Sequence, residues 1–205
     1  MTHHTLGLFV GWVAVVPATA MTVAQLRRLR HTSAGVSTLT WAFLLCFNAW
    51  ISLYGVLLVS APLIITGLSS LVLQAWVLSR CPRANLLRAV GLSASITLGA
   101  VSVPALIWGL PGAVTGAMTV ALALRAPQIH HLLTTRNATG VSVATWLVAA
   151  LNNLLWAGYG VIVGQTSFAI FQGAMMAASL VVVALARRSQ RDAARSTMAF
   201  SVAAA

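Results

Sequence analysis

The chain has 205 residues, of which 60% are hydrophobic and 6% charged, with a net charge of +11. A soluble domain covers itself with roughly a quarter charged residues, so these totals exclude a soluble globular protein and point to one embedded in a lipid bilayer. The charged set is twelve arginines, no lysine and a single acid, Asp192, which excludes coupling through membrane carboxylates and a retinal Schiff base.

A helix crosses the hydrocarbon core with about 20 apolar residues. Seven such stretches follow one another: Leu6–Ala24, Val36–Val59, Pro62–Leu78, Leu86–Trp108, Pro111–Ala126, Val141–Val163 and Ser167–Ala186. The first contains Ala18-Thr19-Ala20, which looks like a signal-peptidase site. Its apolar run continues to Ala24 with no arginine before it, so it reads as a span. Pro17 inside it predicts a kink. Pro62 and Pro111 begin spans, an ordinary place for proline. Pro127 falls at the end of the fifth span, where it either ends the helix or serves as a hinge.

The joints after the second, fourth and sixth spans are short and uncharged. They hold Ser60 and Ala61, Gly109 and Leu110, and Gly164, Gln165 and Thr166. Every arginine lies on the other joints or the tail: Arg27, Arg28 and Arg30; Arg80, Arg83 and Arg88; Arg125 and Arg136; Arg187, Arg188, Arg191 and Arg195. Positive residues stay on the cytoplasmic side. The expected topology is a multi-pass protein of the cell membrane with its amino terminus outside and its carboxyl terminus in the cytoplasm. The excess charge is then a topology signal directed at lipid, and no nucleic-acid partner is expected.

The chain repeats itself at an offset of 105 residues. Gly35-Val36-Ser37 recurs as Gly140-Val141-Ser142, Thr40-Trp41 as Thr145-Trp146, Asn48 as Asn153, and Tyr54-Gly55-Val56 as Tyr159-Gly160-Val161. Upstream, Ala24-Gln25 matches Pro127-Gln128 if the second loop is two residues longer. The repeating unit is three helices. Three is odd, so a lone linker helix between the units restores their orientation and makes them parallel. The expected fold is all-α, with seven transmembrane helices: a first repeat over 1–82, a linker helix over 83–109, a second repeat over 110–188 and a basic cytoplasmic tail over 189–205. A path between two parallel units is the natural place for a solute.

The pattern Pro127-Gln128, Gly140-Val141-Ser142, Trp146, Asn153, Trp156, Tyr159-Gly160 resembles the PQ-loop superfamily, and within it the SWEET and SemiSWEET sugar transporters in their full-length form. The likeness runs to about Arg188. It implies facilitative, alternating-access transport of mono- or disaccharides, with Gln25, Gln128 and Pro127 at the hinge. The third helix of each unit carries a pocket asparagine in that family; the register puts Gly67 and Gln172 there. The first unit has Ala24 in place of the proline and Ile51 in place of Trp156, with Trp50 one residue away.

On a helix with 100° per residue, Asn153, Trp156 and Gly160 lie within about 80° of Trp146. Asn153 is about 18 Å along from Val141, near mid-membrane. A buried amide there needs partners: either Asn153 bonds solute hydroxyls and Trp156 packs on an apolar solute face, or Asn153 bonds a neighbouring helix and Trp156 fills the core. Asn48 holds the equivalent place, and Gln172 could meet a solute from the last span. Trp41 and Trp146 read as interfacial anchors. Tyr54 and Tyr159 form either an outer gate or an aromatic belt.

No paired acids, phosphate loop or activated nucleophile appear, so no enzyme activity and no cofactor are expected. Cys46 and Cys81 give no metal spacing, and His130 with His131 is a weak metal pair. The expectation is uniport of a small neutral polar solute, most simply a sugar. A carrier of an amino acid or other metabolite and a non-transporting scaffold or sensor are the alternatives. Assembly into a homo-oligomer stays open.

Overall fold

The structure is a computed structural model that describes residues 3–29, 38–81, 85–135, 138 and 141–203. Gly35, Val36, Ser37 and Gly140 of the repeat signature lie outside them, as do Arg30, Arg83 and Arg136; the side chains of Gln25 and Pro127 also lie outside the description. Every described element is a helix. They are α1 (His3–Leu29), α2 (Thr38–Leu57), α3 (Ala61–Ser79), α4 (Leu86–Ala123), α5 (Ala126–Thr135), α6 (Val143–Ile162) and α7 (Thr166–Ala203). Six helices, all but the short α5, are long and apolar enough to cross a membrane. Their outward residues stay apolar, including Val16, Val72, Leu98 and Val161, each more than two-thirds exposed. A surface of that kind belongs against lipid.

α4 is broken in the middle. Gly109 has φ 61° and ψ −145°, a conformation open to glycine and costly for other residues. Pro111 follows, and its missing N–H suits the start of a new helix. A Cβ built on Gly116 would meet the carbonyl of Ala100, and one on Gly112 the carbonyl of Pro104. In a straight helix Ala100 and Gly116 would stand about 24 Å apart. The two arms of α4, 86–108 and 110–123, therefore fold back on each other. The first arm is peripheral, with Leu87, Leu106 and Trp108 exposed. The second enters the core through Val114 and Met118.

Three local features differ from the sequence expectation. The second arm stops at Ala123, and residues 124–125 turn, a step earlier than Pro127. Pro127 instead sits in the first turn of α5, where no intrahelical N–H is needed. The expected loop after it folds into that ten-residue helix. α1 holds Pro17 inside it, as expected of the first span. α7 continues through the expected tail to Ala203, because nothing after Gly173 breaks a helix and alanine and arginine favour one.

The joints after α2 and α6 are the same turn. After α2, the Leu58 N–H donates to Tyr54, Val59 to Val56 and Ser60 to Gly55. After α6, Val163 donates to Tyr159, Gly164 to Val161 and Gln165 to Gly160. Each bond has its counterpart 105 residues on, and both sets close a helix by the Schellman pattern. The residue that must turn left-handed is Gly164 at φ 74° in one and Val59 at φ 50° in the other.

Each turn joins two closely packed helices. A Cβ on Gly55 would come within 2.7 Å of the Ile64 nitrogen, and one on Gly160 within 3.0 Å of the Ala169 nitrogen. α1 packs on α3 and α6, while α4 packs on α7 and α2. The aromatic-rich core between them contains Ile51, Tyr54, Leu63, Trp156, Tyr159 and Phe168. It sits toward the end that carries the short joints, hereafter the joint end. Arg27, Arg80, Arg125 and Arg187 mark the opposite, arginine end.

Candidate functional site

A cavity of about 350 Å³ lies among the helices on the arginine side of that core. Its size falls at the lower end of the roughly 300–1,000 Å³ typical of small-molecule sites. Asn48, Asn153, Trp156 and Gln172 all line it. Their placement follows from periodicity: Asn153 and Trp156 are three apart on α6 and share its buried face.

The two asparagines make matched contacts. Asn48 Nδ2 donates to Gln74 Oε1 at 3.4 Å, and Asn153 Nδ2 donates to Ser179 Oγ at 3.4 Å. Both acceptors lie 26 residues beyond their asparagines, one on α3 and one on α7. Asn48 also donates to the Leu44 carbonyl of its own helix at 2.9 Å. Both long amide bonds sit beyond the usual optimum near 2.9–3.0 Å, so the contacts that reach across to α3 and α7 are weak.

Two residues of the cavity wall carry buried side-chain oxygens without partners. Thr66, which is 6% exposed, has no hydrogen bond from Oγ1, and Asn152 has none to Oδ1. Both residues line the cavity. An unpaired buried hydroxyl or amide oxygen costs about 1–3 kcal/mol. Thr66 belongs to a stripe with Ser70 and Gln74, all buried and all lining the cavity. Steps of four along α3 set the three on one helix face. That stripe is visible in the sequence, although small polar residues there read equally well as packing. The contribution of Asn152, one position off the Asn153 face, has no such signal.

Gly67 and Gln172 turn out to differ in kind. A Cβ on Gly67 would meet Ser52 Oγ and come within 2.7 Å of the Ser52 nitrogen. The backbones of α2 and α3 approach too closely for any side chain. Ala157 occupies the position 105 residues after Ser52, and Gln172 reaches the cavity wall. Trp50 does not stand in for Trp156. Its ring lies 6.2 Å from Tyr54, whereas Ile51 lines the cavity.

Arg125 is a residue of the cavity wall that sequence reasoning did not single out. It sits in the turn between α4 and α5 and lines the cavity. Its Nη1 donates to Ser179 Oγ at 3.0 Å and to the Met175 carbonyl at 3.2 Å. Its guanidinium carbon lies 5.8 Å from the centre of the Trp146 ring, a cation–π arrangement. Trp146 thus carries Arg125, and Trp41 lines the cavity; neither is only an interfacial anchor.

The core closes the cavity at the joint end. Tyr54 OH donates to Gln165 Oε1 at 3.0 Å, and Tyr159 OH shares a hydrogen bond with Ser60 Oγ at 2.6 Å. The tyrosines are 1% and 3% exposed, so they belong to the core and not to a lipid-facing belt. Their rings pack on Phe168 with centroids 5.8 and 6.5 Å away, and the Trp156 ring meets Tyr159 edge-on at 5.5 Å. Pro17 and Gln128 do not line the cavity, while Ala18, Met21 and Thr22 of α1 do. Among the described residues no three His, Cys, Asp or Glu side chains converge. Compared with family models, curated proteins and solved structures, the chain matches none.

Proposed function

We propose that the protein is a facilitative membrane carrier of the PQ-loop type, resembling SWEET transporters, for a small hydroxyl-bearing solute of sugar size. In this reading the arms of α4 are two spans, giving seven, and α1–α3 and the second arm with α6–α7 are parallel units. In this reading the amino terminus lies outside the cell membrane and the cavity's arginine end faces the cytoplasm, an orientation that the positive-inside tendency supports.

One observation carries the reading. A polar cavity is walled by two amide pairs 105 residues apart, Asn48–Gln74 and Asn153–Ser179, and capped at one end by two crossed tyrosine bonds at the same spacing. A scaffold needs neither the cavity nor the unpaired oxygens of Thr66 and Asn152. A carrier needs a site reachable from one side while the other is shut, and the closed joint end suits that need. Solute hydroxyls replace the long amide contacts, and Trp156 offers an apolar face to the ring. The only acid of the chain is Asp192, which lines a separate pocket with Arg188, so no carboxylate is available to couple transport to protons. Counterflow of labelled glucose or sucrose in liposomes tests this. Flux that follows the solute gradient and is insensitive to a pH gradient is the expected result; absence of flux for sugars and sugar derivatives alike defeats it.

A further inference from the structure

Among the described residues Arg125 is the only charged side chain lining the cavity. Among the described residues its guanidinium uses one nitrogen, Nη1, toward Ser179 and Met175. Nε and Nη2 have no acceptor among the described residues. No carboxylate reaches it: the single acid of the chain, Asp192, lines a different pocket beside Arg188 and Leu132. A half-buried guanidinium without a counter-ion is a costly arrangement in a membrane protein. The side chain is nevertheless held firmly, by Ser179, by the Met175 carbonyl and by the Trp146 ring. Ser179 also accepts from Asn153 at 3.4 Å, so the guanidinium and the cavity amide share one anchor.

The counterpart of this site lacks the charge. In the register that matches Ala24-Gln25 to Pro127-Gln128, Thr22 stands where Arg125 does. The cavity therefore has a positive pole on the α4–α7 side and a neutral, hydroxyl- and amide-lined wall on the α1–α3 side, where Thr66 Oγ1 is unpaired.

We propose that the cavity selects a guest bearing both a carboxylate and several hydroxyls, a sugar acid in chemical class, with the carboxylate on Arg125 and the hydroxyls on the two amide pairs. This rests on the carrier reading and changes it in one respect, the guest's charge. Guanidinium–carboxylate hydrogen bonds are about twice as strong as neutral ones, and the guanidinium fork fits a carboxylate where an ammonium does not.

Binding to the purified chain in neutral detergent, read by calorimetry, tests the idea with gluconate, its neutral amide gluconamide, and glucose. Gluconate is expected to bind at least about tenfold more tightly than either neutral compound, a charge-assisted contact's worth. Arg125→Gln is expected to abolish that preference, and Arg125→Lys to retain part of it. Equal or tighter binding of gluconamide or glucose overturns the inference, as does a preference that survives Arg125→Gln. The ligand comparison on the unaltered chain holds even if the glutamine variant fails to fold. Phosphatidylglycerol added to the micelles distinguishes the other source of an anionic group: Arg125-dependent binding of lipid with none of gluconate assigns the site to a headgroup and overturns the inference. Gluconate binding without flux in liposomes defeats the carrier reading while the inference stands. Sugar flux with no preference for the acid does the reverse.

Discussion

The hydroxyl of Tyr54 on α2 bonds the side chain of Gln165 at 3.0 Å, tying α2 to the residue that precedes α7, 111 positions away. Its mirror is the 2.6 Å bond between Tyr159 on α6 and Ser60, the residue that precedes α3. Each turn of one half is thus held by the tyrosine of the other, and the joint end is shut by bonds that cross between halves.

Removing one of these bonds should loosen that end. A buried hydrogen bond of this kind contributes about 0.5–1.5 kcal/mol, so Tyr54→Phe should raise the population open at the joint end severalfold while leaving the ring packing in place. Labelling a cysteine at Leu63 with a membrane-impermeant reagent from the joint side, in a background lacking Cys46 and Cys81, measures this. Unchanged labelling in Tyr54→Phe and Tyr159→Phe would mean that the bonds do not gate access.

Asn153→Ala should cost flux and spare the fold. The amide makes one long contact to Ser179, which Arg125 also holds, so its loss leaves the packing anchored. Flux should fall at least tenfold with thermal stability shifted by less than about 1 kcal/mol. A large stability loss with proportionate loss of flux would mark the amide as structural.

Val59 is 89% exposed and sits at φ 50°. A β-branched residue there is strained by about 1–3 kcal/mol, and it buries nothing in return. Val59→Gly should stabilise the protein by about 1 kcal/mol after the greater chain freedom of glycine is subtracted. Gly164→Val, the reverse change in the matching turn, should destabilise by a similar amount. Melting temperatures in detergent check both, and a fall on Val59→Gly refutes the strain argument.

Gly67→Ala should be strongly destabilising, because the added carbon meets the Ser52 backbone as well as its hydroxyl. Overpacking of this kind costs typically 1–3 kcal/mol. Gly173→Ala, where a Cβ meets nothing within 4 Å, is the control and should be neutral or mildly stabilising. Equal effects from the two substitutions would refute the close approach of α2 and α3.

What was legible in the sequence follows from how each signal is encoded. Long apolar runs and uncharged Gly- and Pro-containing joints specify α2, α3 and α6 almost to their ends, because hydropathy and breakers are local. The break at Gly109 is legible for the same reason. The α5 helix and the extension of α7 are not, since a short segment flanked by arginines and a polar arginine-rich tail read as loop whether or not they coil into helix. Arg125 shows a limit of charge reading: an arginine reports which end of a span it occupies, not whether its head turns outward or into a cavity. The Tyr54–Gln165 and Tyr159–Ser60 bonds join residues about a hundred positions apart, and nothing local in the sequence names such partners. Gln74 and Ser179 are legible only afterwards, through the 26-residue spacing they share from their asparagines.

The glycine contacts between α2 and α3, and between α6 and α7, have a mechanical consequence. Backbones that touch at Gly55, Gly67 and Gly160 leave no layer of side chains to slide, so neither pair can shear internally. Each behaves as a stiff lever. Any widening of the chamber must come from one lever tilting against the other, pivoting on α1 and α4, each of which packs on both pairs.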